Sequence, residues 1–300
     1  MTRPDDRRPI VVGVDPDPVK RVAVVWAADE AARRRVPLRL VHADTVPTTE
    51  FRRWELPRSW QVRDQALHEA GRHVLEAAVV IAHERQPRIE VSGLLAEGNP
   101  VPVLREHSHD ATAVVLGSWH LSRMREMFGS DSIALPVISH AHCPVVVVPE
   151  PEHPIEEPAF VVVGVDGSAS SAAAVDFAFE EAALRGAALR ALYVRHPGLL
   201  GVTDEGAAQR ECGRLLSETV AGPSAAHPQV ESHHEVVDGH PVKALTDASA
   251  HALALVVGTR GHGGFAGMLL GSVSQGVLRH ARCPVVAVPL PAAWAGQHRP

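Results

Sequence analysis

The chain has 300 residues, 45% of them hydrophobic, and a net charge of -6. That is length enough for two domains, and the charge gives no general attraction to nucleic acid or anionic membranes. Three widely spaced cysteines, Cys143, Cys212 and Cys283, argue against a disulfide framework and fit a reducing compartment.

The opening MTRPDDRRPIVVGVD has no apolar stretch before it turns into a strand. No apolar run approaches the ~20 residues of a membrane span. Both features predict a soluble, cytoplasmic protein. PIVVGVD at 9–15 reads as a strand, and Asp17-Pro18 as a helix start. ADEAARRRVPLRLVHA at 28–43 reads as a helix followed by a strand. EGNPVPVL at 97–104, AVVLGS at 113–118 and HCPVVVVP at 142–149 follow. PEPEHPIEEP, 149–158, is rich in proline and glutamate and marks a solvated linker.

The same series then recurs. FVVVGVD at 160–166, AFEEAALRGAALRALYV at 178–194, DGHPVKAL at 238–245, LVVGT at 255–259 and RCPVVAVP at 282–289 match the earlier segments in order. The expected organisation is a first domain over 1–148, the linker, a second domain over 159–290 and a tail over 291–300. In the second copy, helices are expected over 170–186, 204–221 and 274–281. Pro241 fits a first helical position, with Gly239 at the bend before it. Alternating strands and helices predict an α/β fold. Each copy is an open, parallel, five-stranded, Rossmann-like sheet with helices on both faces. His140, His142 and Cys143 form a metal-like cluster, but the matching 280–283 keeps only Cys283. A small buried residue before a strand is the better reading of both cysteines.

Between LALVVGT and the last helix lie six glycines in fourteen residues, Gly258 to Gly271. The Walker pattern is absent. Gly261 to Ala266 fits G-x-G-x-x-G/A, but it follows the fourth strand, and no acidic residue occurs after Asp247. A third spacing is complete: Gly258-x-x-Gly261, nine residues, then Gly271-Ser272. Glycines let backbone N–H groups turn toward an anion. Gly271-Ser272 then opens a helix whose first N–H groups favour negative charge.

That spacing resembles the nucleotide motif of the universal stress protein family. GVDGSASSAAAV at 164–175, the DGHP bend and GSVSQGVLRHARCPVVAV at 271–288 resemble it too, and the likeness covers both halves. The resemblance implies ATP as ligand. Asp166 would lie near ribose or adenine, or hold Mg2+ through water; its other role is to cap the following helix. Val194 would wall the adenine, and Val257 and Gly258 would flank base and ribose. Gly261, Gly271, Ser272 and Ser274 would hold phosphates, with Gly164 and Val273 completing the set. Arg260 and His262 could contact phosphate or face solvent.

The first half departs from this pattern. Gly117 matches Gly258, but His120 stands where Gly261 is expected. Either Gly129-Ser130 or Asp131-Ser132 corresponds to Gly271-Ser272. Glu126 adds negative charge, partly offset by Arg123 and Arg125. Asp15 matches Asp166, but Pro16 and Pro18 replace the Gly-Ser-containing turn. Asp15, Ala43, Gly117, Gly129, Ser130 and Ser132 are therefore the weaker candidates.

The expected function is an ATP-binding stress-response regulator, with nucleotide held mainly by the second half and little or no turnover. A slow ATP hydrolase is one alternative, disfavoured by the missing Walker lysine and the missing carboxylate near the loop. A nucleotide-independent scaffold is the other. The family resemblance also implies pairing through last strands, within one chain or between two as a homodimer. The residues name no protein partner.

Overall fold

The computed structural model describes residues 7–17, 21–44, 58–117, 133–149, 155, 157–195, 205–261 and 270–290. The first half contains β1 (Ile10–Gly13), α1 (Val22–Arg34), β2 (Leu38–Asp44), α2 (Arg58–Arg85) and β3 (Val91–Glu97). It continues with α3 (Pro100–His107), β4 (Ala113–Gly117), α4 (Ala134–His140) and β5 (Val145–Val148). The second half repeats the order: β6 (Phe160–Val165), α5 (Ala169–Arg185), β7 (Ala188–Arg195), α6 (Glu205–Ala226) and β8 (Ser232–Asp238). Then come α7 (Pro241–Ala248), β9 (Ala254–Gly258), α8 (Ser272–His280) and β10 (Val285–Val288).

The strands form one ten-stranded sheet in the order β3-β2-β1-β4-β5-β10-β9-β6-β7-β8. Within each half every neighbour pair is parallel. The halves meet through β5 and β10, which run antiparallel with Val146 opposite Val286. The two expected five-stranded sheets thus share their last strands, and each covers the other's open edge. The central strands are continuous apolar runs buried on both faces, as a parallel sheet requires. One core lies under α1, α2, α5 and α6, the other under α3, α4, α7 and α8.

Local chemistry sets the helix ends. Asn99 caps α3 by accepting the Val101 N–H at 2.9 Å, with Pro100 first in the helix. Pro241 takes the same place in α7, after Gly239 at φ 151°. α5 ends at Gly186 in the left-handed region, and α1 ends the same way on Arg35, φ 56°.

Two boundaries shift, in α6 and α8. The expected α1 start at Asp17-Pro18 borders residues 18–20, which lie outside the described residues; α1 is described from Val22, and the Asp17 N–H is held by Asp15. α6 runs past Gly222-Pro223 to Ala226, because proline removes only its own donor and its carbonyl still accepts the His227 N–H at 3.0 Å. α8 begins at Ser272, where the Gly271-Ser272 pair is expected to open a helix and two residues before the periodic run from 274.

Above the central strands, α1 and α5 are joined by a ring of charge. Arg34 bonds Glu30 and Glu181, and Arg185 bonds Glu181 and Glu30. The carboxylate side chains are only 3% and 2% exposed. Arg34 also lies over the Phe177 ring and Arg185 over Trp26. The three pairs Trp26/Phe177, Glu30/Glu181 and Arg34/Arg185 are equivalent positions of the repeat, so the contact is nearly two-fold symmetric. Burial alone would raise the Glu181 carboxyl, but Arg185 and Arg34 hold it below its ordinary value.

Arg185→Ala strips one cation from two buried carboxylates. It should cost about 3–5 kcal/mol, read as a lower urea midpoint. Because Glu181 is depressed on folding, its contribution is fully present above the ordinary carboxyl value of 4.5 and is lost as pH falls through its lower folded value. Wild-type stability should therefore fall on acidification below that value, and the Glu181→Gln variant should lose less over the same span.

Candidate functional site

Each half's strand order reverses between its first and fourth strands. In the second half these are β6 and β9, paired through Val163 and Val256. Ligands of such sheets sit beyond the carboxyl ends of the strands at this reversal. β6 runs into Asp166, and β9 runs into Gly258 through Gly261. The fold therefore brings the two sequence-distant candidates to one place.

Asp166 accepts the Ser168 N–H on Oδ1 at 2.9 Å. It makes a turn and does not cap α5; Ser168 is the cap, accepting the Ser171 N–H at 3.1 Å. Gly167 has φ 82°, and a Cβ there would lie 2.7 Å from Leu215. Only glycine suits that position. The other Asp166 oxygen faces Gly261, where a Cβ would overlap it. The loop root thus passes directly over the Asp166 carboxylate. Gly258 lies as close to α5: a Cβ there would sit 2.7 Å from the Ser170 backbone carbonyl.

The two roots of the loop are tied together. Gly271 donates its N–H to the Thr259 carbonyl at 2.9 Å, and Thr259 donates to Val288 at 2.9 Å. Gly271 caps α8 in extended conformation, with Ser272 exposed as the first helical residue. The Ser274 hydroxyl donates to the Gly258 carbonyl at 2.7 Å and is buried. That bond fastens α8 to β9 at the residue expected to contact phosphate. Gly261 lies against Asp166, and Gly271, followed by Ser272, lies against Thr259 and Arg260 of the same loop root, whereas residues 262–269, with His262, lie outside the described residues.

The remaining second-half candidates are buried or half-buried packing residues. Val257 is buried in the core and lies against Gly164, whose missing Cβ makes room for Leu245 of α7. Val194 and Val273 are half-buried and pack on the same core. Sequence reasoning missed Ser170 and Tyr193. Burial first, then the Cys212 thiol beside it and the Asp166 charge, push the Tyr193 hydroxyl up. Tyr193 stands opposite Val165 on the neighbouring strand, one residue before Asp166. The serine cluster in GVDGSASS was the available signal.

In the first half, Asp15 makes the same turn, accepting the Asp17 N–H at 2.9 Å. Pro16 stands where Gly167 has φ 82°, and proline's ring fixes φ near -65°. The two turns therefore differ in backbone conformation. Ala43 and Gly117 sit half-buried at their strand ends. His120, Gly129, Ser130, Asp131 and Ser132 lie outside the described residues. Burial pushes the thiols up, Cys143 to about 12 and Cys283 to about 11, as expected for packing residues. Among the described residues no group of three or more His, Cys, Asp or Glu is arranged to hold a metal ion, and no helix is long and apolar enough to cross a membrane. A groove of about 480 Å³ between α7 and α8 is lined by Ser272, His240, Lys243 and Arg279. It shares only Ser272 with the site at the reversal.

The universal stress protein family model matches residues 6–149 and again 160–289. The chain belongs to the universal stress protein family. A universal stress protein of Mycobacterium tuberculosis is 36% identical over 304 residues, covering 95% of this chain and 98% of its own. A second from that organism is 36% identical over 295 residues, covering 92% and 95%. The crystal structure of a universal stress protein from Archaeoglobus fulgidus shares the fold at TM-score 0.66 and 18% identity, covering 94% of this chain and 96% of that one. This universal stress protein is therefore of the two-domain kind along its whole matched length.

Gly258→Ala places a methyl group against the α5 backbone. It should cost roughly 1–3 kcal/mol by overpacking, seen as a lower midpoint in urea. An unchanged midpoint would mean that α5 and the loop root do not touch as described.

Proposed function

We propose that this universal stress protein is an ATP-binding regulator whose second half holds the nucleotide, with little or no turnover. One observation carries the reading. The Gly258–Gly261 root, the Asp166 carboxylate and the Gly271–Ser272 start of α8 converge at the strand reversal. Helix start and glycine backbone supply N–H donors for phosphates. No carboxylate follows Asp247 in the sequence, so the loop itself adds no negative charge. Asp166 accepts ribose hydroxyls or orients water on a phosphate-bound Mg2+. Val194 forms the side toward the base.

Bound ATP supplies charge and shape; the chain's residues recognise it. Among the described residues, Asp166 is the carboxylate at the loop root, and its Oδ1 is engaged by the Ser168 N–H. A phosphoryl-transfer site needs more than this: a positioned water and added charge stabilisers. Steady-state phosphate release should therefore fall well below the roughly 1–100 s⁻¹ of kinases. Release within that range, abolished by Asp166→Ala, would make the protein a hydrolase.

Gly261→Glu puts a side chain and a negative charge against Asp166 and into the phosphate space. Calorimetric titration with ATP and Mg2+ should show at least a tenfold loss of affinity, while circular dichroism remains that of the folded protein. Equal affinity in wild type and folded variant would overturn the reading. The first half should bind more weakly or stay empty, because Pro16 imposes another turn and His120 stands at the second glycine's position. Wild-type titration should give one tight site per chain; two equal sites would show that the first loop is as competent as the second.

A further inference from the structure

The start of α5 does more than begin a helix. Ser168 Oγ, besides capping Ser171, donates to the Arg260 carbonyl at 3.4 Å. Ser170 Oγ accepts the Arg260 N–H at 3.3 Å. Both backbone groups of one loop residue are thus engaged by two hydroxyls from one helix end. Arg260 is the residue immediately before Gly261, and its own side chain is exposed. Ser170 is 3% exposed, so its hydroxyl is not placed there for solubility. Ser171 completes the cluster: its hydroxyl donates to the Ser168 carbonyl at 3.0 Å and lies 3.4 Å from the Asp166 N–H.

The repeat supplies an internal control. At the equivalent places the first half carries Asp17 and Val19. An ionised carboxylate has no hydrogen to donate, and valine has no polar atom. That half cannot build the same pair of bonds, and it is also the half whose second glycine is replaced by His120. The hydroxyl pair and the complete glycine spacing occur together.

We propose that Ser168 and Ser170 are positioning residues that clamp the loop root in the orientation from which Gly261 presents its backbone to the nucleotide phosphates. The proposal rests on the ATP-binding reading of the same site. Clamping matters because glycines at 258 and 261 leave the backbone many conformations. Fixing the peptide between them removes part of that freedom before ligand arrives, which raises affinity without adding a contact. The bonds are long, so each is individually weak; their effect comes from acting on the same peptide.

Ser170→Ala removes the acceptor while keeping helix propensity and nearly the same volume. Ser168→Thr keeps both the cap and the donor, and serves as the conservative control. Three quantities are measured on the full chain: ATP affinity by calorimetry, the urea midpoint, and hydrogen exchange of the 258–261 backbone amides. For Ser170→Ala, ATP affinity should fall about 5- to 30-fold and exchange at Arg260 should quicken at least tenfold even without ATP. Amides in the core strand β6 should keep their protection, a distinction that general destabilisation would not produce. Ser168→Thr should stay within about threefold of wild type on both readouts. Unchanged exchange at Arg260, or unchanged ATP affinity with exchange accelerated, overturns the clamp. If the wild type binds no ATP, the functional reading fails by itself. The exchange arm still decides whether the hydroxyls hold the root.

Discussion

The antiparallel contact of β5 with β10 is the constraint around which this molecule is arranged. Two open parallel sheets each end in a fully buried apolar strand, VVVV in the first half and VVAV in the second, and each exposes an edge that invites pairing with any other chain. Pairing the two edges within one chain removes both. Val145–Val148 and Val285–Val288 then sit at the middle of the ten-stranded sheet, buried on both faces. The charge ring above them fixes which helices meet there. Glu30 and Glu181 would be expensive to bury alone, and each is tolerable only with both arginines present. Apolar strands supply the association, and the ring supplies its geometry.

From that centre the sheet reverses direction of winding twice, once in each half, and each reversal opens a crevice. The crevices begin as equivalents: Asp15 and Asp166 close the same hydrogen-bonded turn. They diverge at the next residue. Gly167 adopts φ 82° under Leu215, a conformation proline cannot reach, and Pro16 stands in its place. The shared turn is thus what the fold needs from the aspartate. The glycine and the serines that follow are what the second half adds.

Much of this is legible in the residues because it depends on local or periodic signals. The repeat, the parallel sheets, the Pro241 helix start and the Gly186 helix end follow from apolar runs and from backbone preferences that act over a few residues. The Gly258, Gly261, Gly271 and Ser272 spacing likewise marks a loop root and a helix start before any coordinates. What escapes the sequence is side-chain commitment across long separations. The Ser274 hydroxyl fastens α8 to the Gly258 carbonyl, 16 residues earlier. Val257 fills the core beside Gly164 of a strand distant in sequence. The pairing of Arg34 with Glu181, 147 residues away, has no local signature at all. Gly222-Pro223 misleads for the opposite reason: a strong local stop is overridden by a helix that packs along its length through Leu216 and Val220.

The central claim is that two copies of one fold have been divided into a half that holds nucleotide and a half that chiefly completes the sheet. Native mass spectrometry of the intact chain with excess ATP and Mg2+ tests this most directly, because it counts ligands per chain without assuming a binding model. The account predicts one added nucleotide on each chain, however many chains associate. Two added nucleotides per chain, or none, would contradict it.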